Sequence, residues 1–324
     1  MKMTRKKKIL KRKRVWLIFI ILFFSVCGWL FYMYSEVRNT VDSVYTPLEE
    51  DGLMGHHDEK SSFQLQDLNP IQRKSGEDIE ESLTFLLAGV DERNNDVGRS
   101  DALMLVTVNR KKDSMKMVSI PRDTRTEIVG DGRVTKINHS YAYGGMQMTV
   151  NTVEQFLDIP IDHYVRVNME GFQDTIDLLD GVVVKNDFPF SYKGYLFKDG
   201  MITLQNGDEA LAFTRMRKKD PDGDFGRQER QRRVITSMMD ELASFTSITK
   251  VKGLLDIVSN NVATNMKLDR MLSIQRHFAS TRKNTEKLSL NGTGQTIDGL
   301  WYYIVSEEER NRVSSILKNH LQSP

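Results

Sequence analysis

The sequence predicts an α/β domain, a mixed sheet flanked by helices, carried outside the cell on one N-terminal transmembrane helix. Three observations predict it. An uncharged apolar run of twenty residues follows a basic tail. From Leu83 onward, short runs rich in strand formers are interspersed with helical patterns. The first three such runs are separated only by polar loops, which suits an antiparallel opening to a sheet that helices then cover.

The N-terminus comes first in the chain. Met1–Arg14 holds nine basic residues and no acid, and Val15–Tyr34 (VWLIFIILFFSVCGWLFYMY) holds no charge. At about 1.5 Å per residue, a helix of that length spans roughly 30 Å, a bilayer's hydrocarbon core. Trp16 near one end and Trp29, Tyr32 and Tyr34 near the other suit the two interfaces. Basic residues stay cytoplasmic, so everything after the span is expected outside: a single-pass type II protein of the cell membrane. A cleaved signal peptide would carry a shorter apolar region ending at small residues. SEVRNTVDSVY, which follows the run, offers no such site.

Composition restricts the exported part further. Cys27, the only cysteine, lies inside the apolar run, so disulfides contribute nothing beyond it. Nine of the 46 basic residues lie in the tail, leaving 37 against 44 acidic ones and a formal charge of −7. That argues against general affinity for nucleic acid or anionic wall polymer, and makes any basic cluster a local device.

Residues 35–80 are polar and lack apolar period, which predicts an extracellular stalk, and His56-His57-Asp58-Glu59 reads as solvated charge without a metal-ligand spacing. Strands are expected at 83–90, 102–109 and 115–120. A helix follows at 147–157, a strand at 163–168, a helix at 171–179 and a strand at 181–185, with Asp180-Gly181 as the intervening turn. A short helix at 208–213 precedes a long one that starts near Asp224 and passes Glu241. The remaining residues, 246–324, read as an extension packed on the domain at 81–245. It holds a helix at 268–278, a turn at NGTGQ, a strand at WYYIV and a helix from Ser306 to about Leu321.

Chemistry is expected where the opening strands meet. Asp91 follows the first strand, Arg99 and Asp101 precede the second, and Pro121-Arg122-Asp123 follows the third. Strands running alternately up and down bring those positions to one sheet edge. Mg²⁺ takes hard oxygens from one or two carboxylates plus substrate phosphates, and arginine forks match phosphate oxygens. A second cluster lies in FTRMRKKDPDGDFGRQERQRR. Arg215 and Arg217 alternate as on an extended segment, and Asp224 can cap a helix whose first turn holds Arg227, with Gln231 one turn later. An arginine at a helix N-terminus opposes the helix dipole, which suggests a bound anion. Lys218, Lys219, Arg232 and Arg233 belong to the solvated face. No phosphate-binding loop of the GxxxxGK[ST] type, no GxSxG elbow and no HExxH helix occurs, and His139, His163 and His277 read as structural.

FLLAGVDER, GRSDALMLVTVN, VSIPRDT, KINHSYAYGG, DHYVRVNMEGF, DLLDGV and LQNGDEALAFTRMRKKDPDGDFGRQERQ occur in that order over about residues 83 to 235. In these motifs the chain resembles the LytR–CpsA–Psr family of bacterial cell-wall proteins, and within it the wall teichoic acid transferases. The resemblance implies an extracellular phosphotransferase. It would move an anionic glycopolymer from an undecaprenyl-pyrophosphate-type carrier to peptidoglycan, with the membrane lipid lodged in an apolar tunnel between sheet and helices. Carried over by motif, Asp91 and Asp101 match metal-binding aspartates for Mg²⁺ (or Mn²⁺). Arg99, Arg122, Arg215, Arg217, Arg227 and Gln231 match pyrophosphate contacts. Arg99, Arg122 and Asp123 are the candidate catalytic residues, Asp123 either taking part or holding the Arg122 fork. Two other readings stay open: a membrane phosphatase using water as acceptor, and a non-catalytic wall-binding module.

Overall fold

Alternation along the first strand sets the architecture. In Ser82–Val90, Leu86, Ala88 and Val90 face one hydrophobic cluster while Leu83, Phe85 and Leu87 face another, so this strand is covered on both sides. The computed structural model describes residues 28, 31–48, 81–92, 98–217, 220–244 and 248–322. The expected span at 15–34 lies outside them except for Gly28 and 31–34, as do His56–Glu59 and the rest of 49–80. Among the described residues no helix is long and apolar enough to cross a membrane.

In chain order the elements are α1 (31–44), β1 (Ser82–Val90), β2 (Ser100–Asn109), β3 (Ser114–Ile120), β4 (Arg125–Glu127), β5 (Val134–Lys136) and α2 (His139–Leu157). Then come β6 (His163–Asn168), α3 (Met169–Leu178), β7 (Val182–Asn186), β8 (Phe190–Tyr192), β9 (Tyr195–Phe197), β10 (Gly200–Leu204), α4 (Gly207–Arg215) and α5 (Asp224–Ser244). The chain finishes with α6 (Ile248–Asn261), β11 (Val262–Thr264), α7 (Leu268–Phe278), β12 (Thr285–Leu288), β13 (Thr293–Ile297), β14 (Leu300–Ile304) and α8 (Glu307–Leu321).

Six strands form the central sheet in the order β11-β6-β1-β2-β3-β12. β1, β2 and β3 are antiparallel neighbours, with Leu87 opposite Met104 and Leu103 opposite Ile120, while β6 lies parallel to β1 and β12 parallel to β3. This is the mixed sheet flanked by helices that the sequence predicts. Residues beyond 245 supply both of its outer strands. One face is covered by α2 and α8 through Val150, Val153, Phe156, Val313 and Leu317. The other lies under Phe278 of α7, where Phe85, Leu87, Ile235 and Ile274 stay only partly buried. A third cluster joins α3, α4 and α5 to the smaller strands, with Phe190, Phe197 and Phe213 packed at centroid distances of 4.7 to 5.7 Å.

Two details differ from expectation. α2 begins eight residues earlier than its apolar period suggests, because Gly144 and Gly145 leave helical geometry and join a first turn at an angle to the rest. The hairpin near the C-terminus turns at Asp298-Gly299, both with positive φ, and NGTGQ instead runs into β13.

Candidate active site

The end of β1, the start of β2 and the end of β3 do share one sheet edge. There a cavity of about 310 Å³ is lined by Asp91, Gly98, Arg99, Asp101, Arg122, Asp123, Lys136, Asn138 and His139. Gly98 lets the loop close: its φ is +72°, and a Cβ there would meet the Asp91 carbonyl carbon and oxygen. The Asp91 amide donates to the Arg99 carbonyl at 3.1 Å, which ties the two sides of the loop together.

Charges alternate through the site. Arg122 donates from Nη1 to Asp101 Oδ1 at 2.9 Å and sits with Nε 3.7 Å from Asp123 Oδ2. Asp123, largely buried, pairs with Lys136 Nζ at 2.7 Å. Arg215 reaches in from the end of α4, its Nη2 3.4 Å from Asp91 Oδ1. Asp123 is thus held between two cations, and its backbone carbonyl accepts from the Tyr303 amide at 2.9 Å. That anchoring fixes the Arg122 fork and the Lys136 ammonium together.

The second cluster is built otherwise than the sequence suggests. Arg215 is the last residue of α4, not part of an extended run, because Thr214 and Met216 bond back to Ala210 and Ala212 and only Met216 turns extended. Arg217 follows it and is exposed. α5 starts at Asp224 itself, and the Gly223 carbonyl receives the Arg227 amide at 3.4 Å. Arg227 is buried in the first turn and Gln231 half-buried one turn on. Of the predicted residues, Asp91, Arg99, Asp101, Arg122 and Asp123 line the cavity; Arg215 touches its edge, while Arg217, Arg227 and Gln231 are not among its lining residues.

Besides Gly98, three lining residues escape the sequence reading, which took His139 as structural. The β4–β5 hairpin pairs Arg125 with Lys136 and folds the KINH segment back over the strand end, where the Ile137 amide donates to Thr124 and the Asn138 amide to Arg122. Lys136, Asn138 and His139 thereby enter the site. Burial and the nearby charges of Arg99 and Lys136 hold the His139 imidazole below its ordinary range. The signal lay in the spacing: a hairpin-length segment after PRD returns the chain to its start.

Among the described residues no three histidine, cysteine or acidic side chains gather in a metal cage. Two aspartates lining one cavity suit an ion that takes its other ligands from water and a bound phosphate, the habit of Mg²⁺.

Carboxylates interleaved with arginines at the edge of a covered sheet make a cavity whose chemistry suits a phosphate-bearing group. The chain belongs to the LytR_cpsA_psr family, whose model matches residues 45–319. It is 46% identical to the polyisoprenyl-teichoic acid–peptidoglycan teichoic acid transferase TagU of Halalkalibacterium halodurans, over 92% of this chain and 94% of that one. The TagU of Bacillus subtilis is 43% identical over 98% of both chains. The crystal structure of B. subtilis TagU matches with a TM-score of 0.62 at 47% identity, covering 76% of this chain and 99% of that one. A structure of TagT bound to LI-WTA matches with a TM-score of 0.64 at 33% identity, over 78% of this chain and 95% of the other.

Proposed function

We propose that the chain is a polyisoprenyl-teichoic acid–peptidoglycan teichoic acid transferase. It moves an anionic glycopolymer, wall teichoic acid by the names of its relatives, from an undecaprenyl-pyrophosphate-type carrier to peptidoglycan. The observation that carries this reading is the cavity in which Asp91 and Asp101 alternate with Arg99, Arg122 and Lys136.

A diphosphate brings several negative oxygens, and in-line attack on one phosphorus pushes more charge onto the bridging and leaving oxygens. Fixed cations answer that charge without reorganising, which is where catalysis of this reaction mostly comes from. In this reading Arg99 and Arg122 bear on the reacting phosphate, with Arg122 held at its angle by Asp101 and Asp123. Arg215, Arg217, Arg227 and Gln231 serve the rest of the diphosphate. Asp91 and Asp101 would hold a Mg²⁺ or Mn²⁺ ion, which when bound neutralises phosphate charge and orients the group. Lodging of the lipid is supported by the partly buried side chains of Phe85 and Leu87 on the sheet and of Ile235 and Ile274 on α5 and α7 packed against it. The apolar run at 15–34 tethers the domain outside the membrane, within reach of a lipid that never leaves it.

The test measures lipid phosphate released from a lipid-diphosphate-linked saccharide, with and without glycan acceptor and with excess chelator. We expect release to depend on acceptor and divalent ion, and Asp101→Ala to abolish it while the protein still melts cooperatively. Equal release with water alone makes the protein a phosphatase. Undiminished transfer in chelator removes the metal from the mechanism.

A further inference from the structure

Beyond the charged groups, the cavity contains a neutral acceptor that no internal partner serves. Asn138 is only 4% exposed and lines the cavity, yet its Oδ1 has no hydrogen-bond partner among the described residues. An acceptor left unmatched in that way costs about 1–3 kcal/mol. Its position makes this sharper. Asn138 stands at the N-cap of α2, where asparagine ordinarily turns its oxygen onto a free amide of the first turn. Here its backbone is right-handed helical (φ −69°, ψ −12°) and its side chain makes no capping bond. The fold forgoes the local partner and leaves the oxygen unmatched in a residue that lines the cavity.

We propose that Asn138 belongs to the acceptor subsite, its amide oxygen accepting a hydrogen bond from the saccharide hydroxyl that attacks phosphorus. This rests on the transferase reading above and adds where the second substrate docks. An acceptor oxygen needs a donor. The ionised diphosphate carries no hydrogens for it, and the arginines already answer that group, whereas a sugar hydroxyl is a donor. The neighbours suit a sugar. Burial and the charges of Arg99, Lys136 and Arg133 lower the His139 pKa, and its Nδ1 lies 3.0 Å from Thr135 Oγ1. Tyr143, exposed and 5.9 Å from the His139 ring, is braced by the Arg133 guanidinium 4.0 Å from its centroid. A braced, exposed ring beside a reactive cavity is a surface on which the C–H face of a pyranose packs.

In the step itself, the hydroxyl oxygen bonds to the phosphorus that carries the polymer sugar. The bond from that phosphorus to the bridging oxygen breaks, and the bridging oxygen leaves with the electron pair as part of the lipid monophosphate. The hydroxyl proton is given up to water and the released lipid phosphate takes up a proton from water, so none is gained or lost overall. Asn138, a neutral group, orients the hydroxyl and carries no proton.

The experiment uses the full chain in detergent, a lipid-diphosphate-linked disaccharide as donor and a short peptidoglycan oligosaccharide as acceptor. Asn138→Ala and Asn138→Leu should each lower kcat/KM for the acceptor by about 5- to 150-fold, the range a lost hydrogen bond of this size predicts. Donor affinity should stay within about twofold, and Tm should hold, since no capping bond is lost. The proposal is overturned if either variant transfers like wild type, if donor affinity falls in step with transfer, or if both variants lose Tm together with activity, which makes the residue structural. Wild-type release of lipid phosphate at one rate with or without glycan is a different result: it overturns the transferase reading and the acceptor subsite with it.

Discussion

Arginine and lysine are interchangeable in charge but not in geometry, and the candidate site depends on the difference. Arg122 spans Asp101 and Asp123 through separate nitrogens, which one ammonium cannot do. In the proposed function, the same argument applies to Arg217 and Arg227 against phosphate oxygens. A hydrogen bond to a charged group contributes roughly 1.5–3 kcal/mol, so Arg227→Ala should weaken transfer about 10- to 150-fold, and Arg217→Lys should keep only part of the wild-type rate. Arg233, which pairs with Asp187 and Glu229, is the control. If Arg233→Ala hurts as much as Arg227→Ala, a diffuse basic field replaces specific recognition. Two histidines set a different dependence. His163 and His320 are pushed down to about 4, chiefly by burial, with Arg270 beside the first and Lys116 and Lys112 beside the second. An unfolded imidazole titrates near about 6.5. Between those values the unfolded chain binds more protons, so this stability is complete above about pH 6.5 and is lost as pH falls towards 4. Thermal melts should be level near neutrality and lose on the order of 1–2 kcal/mol per histidine by about pH 5. His320→Gln, which can still meet Thr107 and Ser114, should flatten the fall; an identical acid slope in that variant assigns the loss elsewhere.

The connection from α4 to α5 shows how an element holds functional residues that are not themselves in regular structure. Arg230 and Asp220 form an ion pair with side chains 4% and 1% exposed. The same guanidinium donates to the carbonyls of Phe213 and Met216 and lies over the rings of Phe190 and Phe213. Gly226 is needed beside it, because a Cβ there would strike the Asp220 carboxylate. The segment bearing Arg217 is therefore pinned from α5. Breaking such a pair by Asp220→Ala leaves a buried charge and should cost about 3–5 kcal/mol. Replacing both partners with apolar residues, Arg230→Met with Asp220→Leu, should restore much of that stability but not transfer, since Phe213 and Met216 lose their donor. Wild-type transfer by the double variant would make the clamp purely structural. Little of this was legible in the sequence, where Arg230 is one basic residue in a charged helix. The opening strands were legible because their apolar alternation is local, and their shared edge followed from up-and-down order. Lys136, Asn138 and His139 were not, because only the β4–β5 pairing returns them to the site. Arg215 was misassigned because a two-residue alternation also fits the frayed end of a helix.

Across the whole molecule, the outer strands decide how the domain meets the rest of the chain. β11 is the outermost strand beside β6, and the residues after α1 pair with it: Tyr45 bridges Thr264, the Thr46 amide donates to the Thr264 carbonyl at 2.8 Å, and the Tyr164 hydroxyl donates to the Thr46 carbonyl at 2.7 Å. Val41 and Val44, in the last turn of α1 just before this segment, are buried. The polar segment after the apolar run thus grips the sheet at 45–48 before the chain reaches β1. A chain beginning at residue 79 keeps the six-stranded sheet and both covering layers, so it should fold alone and unfold cooperatively. A chain beginning at residue 35 adds the two valines and two hydrogen bonds. Burying a valine contributes roughly 1.5–3 kcal/mol and each bond about 1. Ordering the extra residues and closing the loop back to β1 offset most of that gain. The net expectation is a longer chain more stable by about 1–3 kcal/mol, read as a higher Tm and denaturant midpoint at unchanged m-value per added surface. Equal midpoints for the two chains would show that the docked segment adds no net stability and leave the domain held to its N-terminal helix by the chain alone.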